Sequence, residues 1–145
     1  MALSKYIMQP VVGRDVQRYA SLELQKIERA IATIIDEVTK PLEWIDVTYQ
    51  NGWGTLVAPN FVGAQYAKDI SNRVYLRGLM YNGAVGSPAF TLPAGYRPAY
   101  TNLFAVISND ALGKVDVKNN GDVTPTLPSV FNYVCLDQIS FFAEQ

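Results

Sequence analysis

The stretch RDVQRYASLELQKIERAIATIIDEVT, Arg14 to Thr39, decides the architecture. Leu24, Ile27, Ile31, Ile34 and Val38 recur at alternating spacings of three and four, which is a heptad seam. Leu24, Ile31 and Val38 take the a positions, and Ile27 and Ile34 take d. Upstream, Ala20 and Gln17 continue the register and weaken it. Glu23, Gln25, Lys26, Glu28, Arg29, Asp36 and Glu37 fill most of the remaining surface, so the apolar stripe is narrower than a lone surface helix carries. Leu22 and Ile35 are the exceptions, free to pack on a neighbouring domain. Isoleucine at d packs poorly in a parallel pair and favours three or four strands. A helix of this length runs about 35–40 Å at 1.5 Å per residue. The simpler role is an amphipathic helix folded on its own domain. The seam instead predicts a helical bundle of identical chains, held also by a folded neighbour, because three heptads alone are marginal.

Ahead of the helix, MALSKYIMQPVVG is too apolar for a solvated tail, and Pro10 stops a helix running through it. Tyr6, Ile7, Met8, Pro10 and Val11 form an extended arm suited to docking in a groove of another protein, or to folding back on the helix base. Gly13 and Asp15 supply a break and an N-cap. The helix should stop at Lys40, because Pro41 disfavours helical geometry in the residue before it. The expected organisation is an arm over 1–13, a helix over 14–40 and a β head over 41–145.

From Trp44 the hydrophobic period changes to two. Ile45, Val47 and Tyr49 face one way, and Trp44, Asp46, Thr48 and Gln50 the other. Asn51-Gly52 and Asn82-Gly83 are two-residue hairpin signals, and Asn119 to Asp122 reads as a tight turn. Asn72 to Tyr81 is apolar on both faces, as a strand covered on both sides and abutting another subunit would be. Phe90 to Leu92, Leu103 to Ser108, Lys114 to Lys118, Gly121 to Thr126 and Val130 to Ala143 follow. About eight short strands with regular turn signals and no second helical period predict a mainly β chain. Its head should be a jelly-roll-like antiparallel β-sandwich.

Several pieces of the head resemble the β-sandwich domain at the tips of bacteriophage tail fibres, baseplate receptor-binding proteins and head fibres. They are Trp44 with Asn51-Gly52-Trp53, Arg73 to Gly78, Thr91 to Pro98 and Cys135 to Phe141. Together they span roughly 44–142, and Leu92-Pro93-Ala94-Gly95-Tyr96-Arg97-Pro98 is the most specific. The resemblance implies a homotrimer standing on a triple helix, made in the host cytoplasm and located on the virion, with phage capsid or tail proteins as partners of the arm. Many relatives carry the domain on a long shaft. One short helix here suits a stubby spike or decoration of head or tail.

The composition narrows the chemistry. Of 145 residues, 17% are charged, against about 25% in ordinary soluble domains, and nine tyrosines and six phenylalanines suggest burial against other chains. A net charge of −1 without like-charge runs offers nothing to attract nucleic acid or an acidic membrane. No apolar run approaches a membrane span, and no signal-peptide pattern opens the chain. Histidine is absent, removing the usual general base and the commonest metal ligand. Cys135 stands alone in an apolar stretch and reads as a buried thiol. The carboxylates are scattered, and no phosphate loop or metal-ligand spacing occurs. We therefore expect neither catalysis nor a cofactor.

A second function is recognition of host cell-surface glycans. Its candidate contacts are Trp53, by stacking on a sugar, and the tip loop at Asn109 and Asp110. Residues 125–132 form a second candidate tip. Core or interface packing is the simpler role for Trp44 and Trp53. For Arg77 and Arg97, it is pairing with carboxylates or carbonyls between subunits.

Overall fold

The computed structural model describes residues 16–56, 58–127 and 133–144. The arm residues Tyr6, Ile7, Met8, Pro10 and Val11, the Asp15 cap, and 128–132 of the second tip loop lie outside this set. The chain divides after Pro41 into two compact units.

Among its described residues, the first unit holds one helix, α1, Val16–Thr39. It ends one residue before Lys40-Pro41, where proline geometry requires. The hydroxyls of Thr33 and Thr39 donate to the carbonyls of Arg29 and Ile35 at 3.0 and 2.7 Å. Lys26 and Glu23 pair at 2.9 Å across one turn.

The second unit is a β-sandwich of short antiparallel strands. Those of its first half are β1 (Ile45–Asp46), β2 (Gly54–Thr55), β3 (Gln65–Lys68), β4 (Arg73–Arg77), β5 (Leu79–Tyr81) and β6 (Phe90–Thr91). The longer hairpin strands β7 (Asn102–Ser108), β8 (Ala111–Val117) and β9 (Asp122–Leu127) follow, then β10 (Val134–Cys135) and β11 (Ser140–Phe142). One sheet has the order β1-β3-β4-β11, and the other β2-β5-β10-β7-β8-β9-β6. Between them lies a core that includes Val74, Leu76, Met80, Phe90, Leu92, Val115, Val117, Leu136 and Ile139, all at most 2% exposed. Each such burial contributes about 1.5–3 kcal/mol.

The double-faced apolar pattern of Asn72 to Tyr81 does not come from one strand covered on both sides. The segment breaks at Gly78 and changes sheets, with β4 in one and β5 in the other. Gly78 has φ +95°, and a Cβ there would meet the carbonyl of Gly63. Only glycine fits such a close, left-handed passage. The closing segment does the same. Expected as one strand from Val130 to Ala143, it instead holds in its described part, 133–143, β10 and β11 in different sheets, joined through Leu136 to Ile139.

Asn51-Gly52 also departs from expectation. Both residues have positive φ, and Trp53 N donates to Gln50 O at 3.0 Å, so the tight turn forms. It does not close a hairpin, because β1 pairs with β3 and β2 with β5. Asn82-Gly83 likewise leaves β5 without pairing it to β6, which binds β9 instead. Gly83 packs on the Trp53 indole, leaving no room for a Cβ. The Asn119 to Asp122 turn does link paired strands: Lys118 N reaches Asp122 O at 2.9 Å between β8 and β9.

Candidate functional site

On α1, Leu24, Ile27, Ile31 and Val38 are 40–60% exposed within a single chain, and Ile34 is half-buried. Ile35 and Leu22 are exposed as well. The heptad residues share one apolar helix face by their spacing, and four of the five are exposed.

In the head, Trp53 is 5% exposed and belongs to the core cluster. It is thus a packing residue, and its role as a stacking platform for a ligand is corrected. The Asn51-Gly52 turn precedes the indole, which packs on Gly83, thirty residues further along the chain.

Asn109 and Asp110 form the two-residue turn between β7 and β8, with φ of 51° and 58°. That is the left-handed pair a tight hairpin demands. Their polar groups are turned toward Tyr133, which no sequence pattern singled out. Asn109 Oδ1 accepts from Tyr133 N at 3.1 Å, and Tyr133 OH donates to Asp110 Oδ1 at 2.7 Å. Asp110 N donates back to the phenol oxygen at 3.0 Å. The bond to Asp110 pushes the Tyr133 phenol above its ordinary pKa, since losing the proton would set two negative charges together. Asp110 remains exposed and lines two surface grooves; Trp53 lines neither.

The motif Leu92 to Pro98 folds into a self-tied loop. Arg97 Nε donates to Leu92 O at 2.8 Å, and Glu144 N donates to Arg97 O at 2.6 Å. Lys68 Nζ donates to Gly95 O at 2.8 Å and lies 4.8 Å over the Tyr96 ring, itself edge-on to Tyr66. Burial, then the neighbouring Tyr96, raises the Tyr66 pKa. Arg97 therefore pairs with a carbonyl, as expected of it, but inside its own head. Arg77 stacks 4.0 Å over the Trp44 ring and donates through Nε to Gln65 Oε1 at 2.8 Å. Both of these contacts lie within the chain.

The outer face of the larger sheet carries an apolar band. Leu103, Ile107 and Leu112 are all more than half exposed, and Ile107 stands directly opposite Leu112 in the β7–β8 ladder. At one end a groove of about 460 Å³ opens between Tyr100, Leu103, Arg73 and Phe142. There the Arg73 guanidinium donates to Ser140 Oγ at 2.8 and 3.2 Å and lies 5.2 Å from the Phe142 ring centre. At the other end a groove of about 410 Å³ runs between Ile107, Phe61, Tyr133 and Cys135. The run Leu103-Phe104-Ala105-Val106-Ile107, apolar at both parities, was the sequence signal for this two-sided strand. Among the described residues, no group of three or more His, Cys, Asp or Glu side chains is placed to hold a metal ion. Among the described residues, no helix is long and apolar enough to cross a membrane.

An antiparallel β-sandwich preceded by one α-helix is the class of structure these elements define. The same fold is found in a solved phage protein. The crystal structure of the receptor binding protein (gp15) of Listeria phage PSA superposes with a TM-score of 0.65 at 19% identity. The match covers 91% of this chain and 82% of that one, so the likeness extends over most of both molecules. No protein-family model matches the chain, and no curated protein matches it.

Proposed function

We propose that this chain is a structural protein of a phage virion, forming a short homotrimeric fibre, spike or decoration on head or tail without enzymatic activity. The observation that carries the reading is the exposed heptad seam of Leu24, Ile27, Ile31, Ile34 and Val38. Its a/d spacing is matched by identical helices in register, which would remove the stripe from water. The fold shared with a phage receptor binding protein supports a virion role. In this reading the arm, Tyr6 to Val12, docks into capsid or tail protein, and three helices gather three heads. Sedimentation of the full chain tests it: three times the 16.1 kDa chain mass is expected, and a monomer overturns it.

A second reading has its own support. The neighbour is titled a receptor binding protein, and the groove at Arg73, Tyr100 and Phe142 combines a cation with two exposed aromatic rings. Recognition of a host surface glycan would use such a surface, because sugar rings stack on aromatics and hydroxyls bind guanidinium groups. Saturable binding of the labelled protein to host cells, lost in Tyr100→Ala, supports recognition. No saturable binding leaves the chain a decoration.

A further inference from the structure

We infer that the outer face of β7 and β8 is the surface through which the heads of separate copies pack on one another. The proposal rests on the helix-bundle reading for bringing copies together, and adds a contact the helices do not make.

Four features point to a second copy as the occupant. The first is extent. Adjacent grooves share their linings, joining Tyr100, Leu103, Leu112, Ile107 and Phe61 into one band. These residues are 56–81% exposed. Isolated soluble domains rarely leave a contiguous apolar patch larger than a few hundred Å² uncovered.

The second is charge. The charged side chains set into the outer row of β8 are Lys114 and Asp116, across from Ala105 and Leu103 in the ladder. They pair with each other at 3.0 Å and so neutralise one another, and the acidic Asp110 and basic Arg73 stand at opposite ends of the band, so a second copy of the chain meets no block of like charge. A polyanionic or polycationic partner would find no complementary field there.

The third is reach. Lys40 to Trp44 separate the helix from β1, and five extended residues span at most about 17 Å. Helices bundled at 8–10 Å between axes would therefore hold their heads at high local concentration. The fourth is the flatness of the hairpin. The Asn109-Asp110 turn is two residues long and tied to Tyr133, so the turn itself does not fold over Ile107 and Leu112.

Hydroxyl-radical footprinting of the full chain, run beside sedimentation, tests this. Ile70 is the internal reference, being 67% exposed and outside the band. In the oligomer, oxidation of Leu103, Ile107 and Leu112 should be about tenfold slower than at Ile70. In the variant Leu103→Glu with Leu112→Glu, both at exposed positions, Ile107 should lose that protection while helix content stays unchanged. An oligomer whose band is oxidised as fast as Ile70 overturns the head contact and leaves the helix bundle standing, with the band free for another occupant. A monomeric chain with an oxidised band overturns both. Protection of Ile107 that survives the double substitution also overturns the proposal.

Discussion

Gly78 N donates to Asp137 Oδ1 at 2.7 Å, so the point where one strand changes sheets is held by the turn where another does the same. Leu136 N returns a bond to Gly78 O at 3.0 Å. The two crossings form one joint. Gly78→Ala should therefore cost more than a change in an ordinary loop. It forces an L-residue to φ +95° and drives a methyl into the Gly63 carbonyl. We expect a loss of roughly 3 kcal/mol or more in denaturant unfolding, with Asp137→Ala milder at about 1–2 kcal/mol.

The Asp69 carboxylate organises the β3–β4 turn. It accepts from Ser71 N, Ser71 Oγ and Arg73 N at one oxygen, and from Tyr75 OH at the other. Desolvation opposes ionisation, but these bonds outweigh it, and the pKa lies below the ordinary carboxylate value. A depressed folded-state pKa gives stability that is present above the unfolded pKa and lost as pH falls through the folded one. The stability gap between wild type and Asp69→Asn should thus begin to narrow as pH falls past the ordinary carboxylate value of about 4, and close only once pH is below the depressed folded-state pKa. At neutral pH the variant should be less stable by about 1 kcal/mol. A constant gap at all pH values would refute the assignment.

Arg77 and Trp44 test whether a stacked arginine is replaceable by a lysine. Arg77→Lys keeps the charge and loses both the flat stacking surface and the Nε–H bond to Gln65. A loss of about 1 kcal/mol is expected, with a shift in tryptophan fluorescence as the Trp44 face is uncovered.

In the helix, Ile27→Asp with Ile34→Asp places charges at two d positions. Burying unpaired carboxylates in a bundle costs several kcal/mol, so sedimentation should show monomers or aggregates. A soluble trimer of this variant would remove the seam from the assembly.

Cys135 checks the larger sheet. Burial foremost raises its thiol pKa, assisted by the nearby Asp137 carboxylate, which leaves less thiolate at a given pH. Alkylation at pH 8 should run at least about tenfold slower in the folded chain than in denaturant. Equal rates would show β10 to be open to reagent.

The helix was legible because its determinants are local: the seam, Pro41 and the absence of competing breakers all lie within one segment. The β class was legible from period and turn residues for the same reason. Pairing was not. Asn51-Gly52 specifies two left-handed residues, and those dihedrals are present, but which strands flank the turn is decided by partners far along the chain. The apolar faces of 72–81 and 103–107 look alike in sequence. In the first the strand switches sheets at Gly78, whereas in the second one strand keeps both faces apolar. A glycine inside an alternating run was the available clue. Trp53 could not be sorted from a surface aromatic, because its burial depends on Gly83, thirty positions away. Tyr133 carries no motif and gains its role from the Asn109-Asp110 turn.

The pairing of β11 with β4 has a consequence for biosynthesis. Val74 waits for Phe141 and Tyr75 for Ser140, so the smaller sheet stays one strand short until translation has passed Phe142. Until then its apolar side lies open on the ribosome, and no sandwich can close. Long-range closure of this kind is slow. Chains that meet while still nascent would therefore meet through their helices, completed about a hundred residues earlier, and would enter assembly already aligned before any head has matured.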